Sequence, residues 1–436
     1  MRLMLGIGLC AAVAACHGGA TKTPRARAIA APVAGTTVPA GDGLQQAIAA
    51  AAPGAVLLLQ PGEYRGPILV DKPLTIWGPS DAVIDSHDGT TLRVLADGVR
   101  LQGFTVRGSG QRFDLMDGGV HLQGKDIEMT GVTVRDTLFG VLAERCERVT
   151  LRGNLVLGTG LPAMGLRGDG IRLWETNDSL VEGNVVRDSR DMVVWYSSRN
   201  HLVDNAVSGS RYGTHFMYSH QNVVERCRYV GCEVGVFVMY SHDITIRQCL
   251  LARSGGAAGI GLGLKESGNV ALEDCWLLAN TTGIYVDNSP LDPDHHNRYE
   301  RNVMRFAETA VSLHSSVRRT TFADNDFGDN GAVVKVGADG DALECTFAGN
   351  HYDTYQGYDL DGDGCGDLPF EFRRLSTQIE GRYPELALLH GAPAMQMVDM
   401  VGELMPLFRP RPLMSDPRPR MRPLAMAWNP EAADAR

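Results

Sequence analysis

Two short runs in this chain of 436 residues carry side chains that bind soft metal ions, and each run copies the other. Met217-Tyr218-Ser219-His220 returns as Met239-Tyr240-Ser241-His242, an offset of 22 residues. His215 stands two residues before the first Met. Thioether sulfur and imidazole nitrogen together suit Cu(I), because polarisable donors match a polarisable cation of low charge. If each repeat is one coil of a stack, Met217 and Met239 sit on adjacent coils about 4.8 Å apart, on the same face as His215. His220 and His242 then form a second stacked pair at the turn. The competing reading is that this face is an apolar surface covered by the chain's own tail or by a partner protein.

A second group is made of oxygen donors. Asp359, Asp361, Asp363 and Asp367, with Gly364, match the start of a calcium loop, where oxygens at alternating positions wrap a hard cation. The loop departs from a full EF-hand at its twelfth position, which holds Phe370 with Glu371 one beyond, so an acidic Gly-rich turn also accounts for it. Paired carboxylates for glycosidic chemistry need a separation of about 5 to 9.5 Å. Glu175 and Glu266 share a column, but four coil steps place them roughly 19 Å apart. Asp169, Asp188 and Asp191 make a looser acidic neighbourhood beside a long insertion.

A period in the low twenties with Gly punctuation marks a solenoid, and the coils can be counted by a small or polar residue before a strand. Gly78, Gly103, Gly131, Asn154, Asn184, Asn205, Cys227, Cys249, Cys275, Asn302, Asn325 and Asn350 give twelve such slots. The fold expected is therefore an all-β parallel β-helix of about a dozen coils. Ile171 and Leu173, Met192 and Val194, Thr214 and Phe216, Val236 and Val238, Leu262 and Leu264 share one strand parity and should face inward. Arg172 and Trp174, Val193 and Trp195, His215 and Met217, Phe237 and Met239, Gly263 and Lys265 should face out, an oddly apolar set. Leu44, Ala47 and Ile48 lie on one face of a short helix that would cap the open end. The apolar side of Pro393 to Leu404, with Met397, Val398, Val401 and Leu404, has no evident claim on the solenoid core. It reads as a docking element.

Net charge is −10 with 21% charged residues and no basic stripe, which argues against nucleic acid as a partner. Residues 1–16 have one early Arg, a short apolar run and small residues, the layout of an export signal. Val13-Ala14-Ala15-Cys16 has the form of a lipobox, with Cys16 as the lipidated residue; the alternative is cleavage nearby and a soluble periplasmic protein. Residues 17–40 read as a flexible tether, 41–355 as the capped β-helix, and 356–436 as the acidic loop, helix and Pro-rich docking tail. Outside the signal and lipobox seven cysteines remain, an odd number, so at least one thiol stays unpaired.

GDGIRLW (168–174), RDMVVWYS (190–197), RYGTHFMYSH (211–220), GVFVMYSH (235–242), GAAGIGLGLKESGN (256–269), GIYVDNSP (283–290) and GYDLDGDGCGD (357–367) together resemble the NosD family of periplasmic maturation factors of nitrous oxide reductase. The resemblance runs from about Gly43 to Pro423. It implies a right-handed parallel β-helix that is not a hydrolase. It also implies partnership in denitrification with an ABC transporter of permease and ATPase, a copper chaperone lipoprotein and apo nitrous oxide reductase, with copper as cargo. Carried onto this sequence, the copper-handling candidates are His215, Met217, Met239, His220 and His242. Cys in place of Asn at 227, 249 and 275, and the lipobox, depart from the family pattern. A carbohydrate lyase or hydrolase on the same fold is the alternative.

Overall fold

The chain turns three times per coil because short β-branched runs are separated by residues in left-handed backbone. His201–Val203, Ala206–Ser208 and Tyr212–Met217 make one coil, and Val223–Glu225, Arg228–Val230 and Val234–Met239 make the next. Equivalent strands stack in parallel register into a first sheet of 14 strands, a second of 13 and a third of 12. The result is an all-β parallel solenoid of about a dozen complete coils. This computed structural model describes residues 25–430 apart from 257, 390–391, 406–409 and 427. Residues 1–16, read from the sequence as an export signal with Cys16 as the lipidated residue, lie outside the described residues.

The slots are hydrogen-bonded rungs. Asn154 donates from its backbone N and its Nδ2 to Asn184 Oδ1 at 3.0 and 2.9 Å, and Asn184 does the same to Asn205. Asn302, Asn325 and Asn350 repeat the pattern. Cys227, Cys249 and Cys275 occupy rungs in between as buried free thiols. There Cys275 Sγ, 3.3 Å away, takes the Cys249 backbone N–H that an amide oxygen would otherwise accept. Just before each rung a residue sits at positive φ, as Asp204 (53°) and Arg226 (51°) do. This conformation is tolerated because the neighbouring coils fix it on both sides.

The inward parity forms the continuous core: Phe216, Val236, Val238, Leu262 and Leu264 are fully buried in it. At the N-terminal end the helix Leu44–Ala50 buries Leu44 and Ile48. Its Gln45 side chain pairs with both the N–H and the C=O of Leu69, satisfying the edge strand that begins the third sheet. Residues 25–38, read from the sequence as part of a free tether, instead lie along the solenoid. Arg27 N donates to Gly153 O at 2.8 Å, and Thr36–Val38 pairs with Val56–Leu59.

The C-terminal end is closed by chain that returns from far downstream. Phe370–Phe372 pairs antiparallel with Met414–Asp416, and Phe370 stacks on Tyr352 at 3.9 Å. Asp416, fully buried, ends the Asn ladder. Its Oδ2 accepts from Asn350 N (3.0 Å), Asn350 Nδ2 (2.9 Å) and Tyr352 Oη (3.2 Å), and its Oδ1 accepts from Arg418 N (3.0 Å). Asp416→Ala orphans these donors and should cost about 2 to 4 kcal/mol in urea unfolding, with Asp416→Asn recovering part of it. An unchanged midpoint in Asp416→Ala would show that the last coil is closed by other contacts.

Candidate functional site

The outward face of the third sheet carries the doubled motif, and the fold gives each of its four residues a separate task. Met217 and Met239 end their strands in register with each other. Tyr218 and Tyr240 follow at φ 50°, and their rings stack at 4.9 Å. Ser219 and Ser241 are rungs of a hydroxyl ladder, with Ser219 N donating to Ser241 Oγ at 3.0 Å. His220 and His242 then stack at 3.8 Å between ring centroids, 19° from parallel. His220 Nδ1 accepts the His242 backbone N–H at 3.2 Å, and His242 Nδ1 meets Asp243 at 2.8 Å. An ion bound by an imidazole lies in the ring plane about 2 Å from nitrogen, so one ion midway between these parallel rings would sit off both planes.

His215 is built differently. It is 5% exposed, walled by Trp195 (ring centroids 5.4 Å, edge on) and Tyr212 (4.7 Å). Its Nε2 lies 3.4 Å from Met239 Sδ, and its Nδ1 accepts the Trp195 indole N–H at 3.3 Å. Indole only donates, so the neutral imidazole carries its proton on Nε2, pointing at the thioether. Met217 is half-buried two residues along the same strand as His215, in register with both Trp195 and Met239. Neighbours on the same face supply much of the cover: Phe237 joins Val234 and Ile260 in a small separate cluster with Tyr212, Met239 and Tyr285 packed against it. Gly263 makes the room for this, since a Cβ there would come within 2.7 Å of the Phe237 ring. The described end of the tail lies elsewhere, on the second sheet, where Trp276 Nε1 donates to Trp428 O at 3.0 Å.

Burial pushes the His215 imidazole down to about 4, against an ordinary value of 6.5. The unfolded chain therefore binds more protons between those two values, and stability falls as pH drops through that window. A shift of this size corresponds to about 3 kcal/mol at its limit. His121 and His220 shift in the same direction. Comparing wild type with His215→Leu by urea unfolding at neutral pH and below pH 5 isolates the His215 share. The variant should lose most of that acid sensitivity, and equal slopes would contradict the buried, neutral ring.

Beneath the aromatic face lies a charge network that composition did not reveal. Asp169 and Asp191 are fully buried. Arg190 reaches Asp169 at 2.9 Å, Arg211 donates through Nε to Asp191 at 3.0 Å, and Arg172 reaches Asp169 at 3.3 Å while stacking on Trp174 at 4.6 Å. Asp188 is exposed at the turn and stands apart from this network. Glu175 and Glu266 occupy turn positions at φ 49° and 47°, with Tyr196, Tyr218 and Tyr240 between them in the column. Tyr196 and Tyr218 stack at 5.3 Å. Trp195 belonged to the expected outward set, but its hold on His215 Nδ1 and the wall made by Tyr212 were not anticipated.

In the acidic loop, Asp359, Asp361 and Asp363 each bring an oxygen within 4.8 Å of the others. Asp359 takes the backbone N–H groups of Gly362 and Gly364 at 2.7 and 2.9 Å, and Arg418 meets Asp363 at 2.5 Å. Asp367 accepts instead from Leu360 N at 2.8 Å.

The profile of the family described as periplasmic copper-binding protein (NosD) matches residues 158–357, the coils that hold this face. A probable ABC transporter binding protein NosD from Pseudomonas aeruginosa is 26% identical over 417 residues, covering 84% of this chain and 87% of the relative. A protein of the same description from Stutzerimonas stutzeri is 29% identical over 136 residues, 30% of this chain and 31% of the relative. Among solved structures, the A-module of the Azotobacter vinelandii mannuronan C-5 epimerase AlgE6 superposes with a TM-score of 0.58 at 14% identity, over 73% of this chain and 97% of that one. The catalytic domain of a GH87 α-1,3-glucanase gives 0.52 at 11% identity, over 75% and 70%. At these identities the structural likenesses show the fold alone. The family match falls on the coils that hold this face, and with these relatives the chain is a NosD-like parallel β-helix protein.

Proposed function

We propose that this protein is a periplasmic accessory factor for copper-centre assembly in nitrous oxide reductase. In this reading it receives Cu(I) from a copper chaperone lipoprotein and works docked on the permease and ATPase of an ABC transporter, with Cys16 as its lipid anchor. The observation that carries the proposal is the approach of His215 Nε2 to Met239 Sδ at 3.4 Å, with Met217 beside it in register. Copper is here the cargo. The donor set fits a soft ion, and the neutral His215 ring spares the ion competition with a charged imidazolium.

Release is built into the same geometry. With Trp195 N–H on Nδ1, the His215 proton sits on Nε2, where the ion must bind. Capture moves that proton to Nδ1 and makes the indole N–H give way. Trp195 thus biases the site toward the unloaded state, as a transfer protein requires. His220 and His242, stacked at the turn, would serve as an outer station reached one ring at a time. The test is Cu(I) titration of the purified protein, paired with the copper content of the reductase in cells.

A carbohydrate-active enzyme is less well supported by the site. The two glutamates of the outward column are separated by three tyrosines, and Asp169 and Asp191 are both committed to arginines. The acidic loop is a proposed calcium site through Asp359, Asp361 and Asp363, pinning the returning chain near Arg418, with Asp367 held by Leu360 N outside the cluster. Chelation should then speed proteolysis between residues 356 and 421 and lower thermal stability. If EDTA changes neither, the loop is held by its own hydrogen bonds and by Arg418.

A further inference from the structure

Three to five coils from the N-terminal side of the third sheet, its outward face opens into a cleft of about 210 Å³ lined by Met116, His121, Leu142, Glu144, Arg172 and Trp174. His121, Leu142 and Arg172 are successive residues of one outward column, and Glu144 and Trp174 are successive residues of the next. Arg172 is two coil steps from His215, with buried Val193 between them. The cleft is thus separate from the proposed copper position.

We propose that this cleft binds a small organic carboxylate whose anionic end pairs with Arg172 and whose apolar body lies over Leu142 and Met116. The charge balance points to an anion. Arg172, Arg190 and Arg211 surround only two buried carboxylates, Asp169 and Asp191. Asp169 is already held by Arg190 through two bonds of 2.9 and 3.0 Å. Arg172 keeps one hydrogen bond among the described residues, the 3.3 Å contact to Asp169, although its side chain is only 13% exposed. A guanidinium has five N–H groups, and one this far removed from water is under-paired. Stacking on Trp174 and Trp195, at 4.6 and 5.0 Å, fixes its plane without satisfying those donors.

The other acid in the cleft does not fill this role. Glu144 is engaged by Arg145 at 2.7 Å, by His121 at 3.0 Å and by Gln123 at 3.2 Å. His121 and Glu144 instead offer a polar end opposite Arg172, suited to a hydroxyl or amino group on the ligand. Ligand pockets for drug-sized molecules run from about 300 Å³ upward, so this cleft suits a body of hydroxy-acid or amino-acid size. A forked carboxylate is favoured over a spherical anion because the guanidinium presents paired, parallel N–H groups.

The test uses the full mature protein, isothermal calorimetry and two carboxylate probes, 2-hydroxyisocaproate and leucine. Inorganic phosphate and 2-hydroxyisocaproamide, which keeps the body but loses the charge, are the controls. At least one carboxylate should bind saturably with Kd below about 10 mM, and the amide at least roughly tenfold more weakly. Leu142→Trp, which fills the cleft and leaves the Arg–Asp network intact, should abolish binding without changing the circular dichroism spectrum. Arg172→Lys should weaken it roughly tenfold, since an ammonium lacks the fork. The proposal is overturned if no carboxylate binds, if the amide or phosphate binds equally well, or if Leu142→Trp binds as wild type does.

Discussion

Replacing both Met217 and Met239 by Leu is expected to abolish Cu(I) binding and to leave nitrous oxide reductase short of copper in cells carrying the variant. Leu keeps the volume and apolarity of this face, so the packing cost should stay below about 1.5 kcal/mol while both sulfurs disappear. The half-buried position of both side chains makes that cost small. Trp195→Phe gives the opposite sign. It keeps the ring against His215 but removes the N–H that holds Nδ1, so the imidazole proton can leave Nε2 without breaking a hydrogen bond. One neutral hydrogen bond is worth about 1 kcal/mol, hence roughly fivefold tighter Cu(I) binding and slower release. Normal copper loading in the double Leu variant would make the column an interface and place the metal elsewhere or on the chaperone. Weaker binding in Trp195→Phe would remove the latch but leave the sulfur ligands standing.

The coil register was legible because a period near 22 and a strand parity of two leave little freedom once one slot is placed. Val236, Val238, Leu262 and Leu264 lie where that parity puts them. The cover of the outward face was not legible. Phe237 is buried by lying over Gly263, a contact between adjacent coils that depends on ring rotamer rather than on spacing. The tautomer of His215 is hidden for the same reason, since Trp195 and His215 meet diagonally between adjacent coils. The closure of the C-terminal end rests on Asp416, 66 residues from the Asn350 it caps, and no local period reaches across that gap. Residues 25–38 read as a tether because they lack an apolar period. They bind the solenoid through backbone groups, which composition does not report.

The helix Pro393–Leu404 yields the other large effect expected. Serine at Met397, Met400, Val401 and Leu404 together should leave the solenoid folded and eliminate co-purification with the transporter's permease and ATPase. The helix is anchored on its other side. Met395 is buried, Asp399 accepts from Ser376 N and Oγ at 2.8 and 2.7 Å, and Gly402 packs against Leu375. The preceding helix, Leu375–Arg382, lies on the last strand of the third sheet, with Glu380 meeting Lys335 at 3.1 Å. What remains outward is apolar: Met397 is 62% exposed, Met400 50%, Val401 38% and Leu404 73%. An apolar helix face of this kind, at the closed end of a solenoid, fits an amphipathic-helix docking mode in which side chains at i, i+3, i+4 and i+7 enter a groove. Burying four such side chains at a partner is worth on the order of 4 kcal/mol, so removing them should weaken the complex roughly a thousandfold. All four substituted side chains are exposed, so an unchanged melting temperature separates lost docking from lost folding. Retention of the transporter by a folded quadruple variant would move the interface to another face, and the stacked Tyr196, Tyr218 and Tyr240 would be the next surface to substitute.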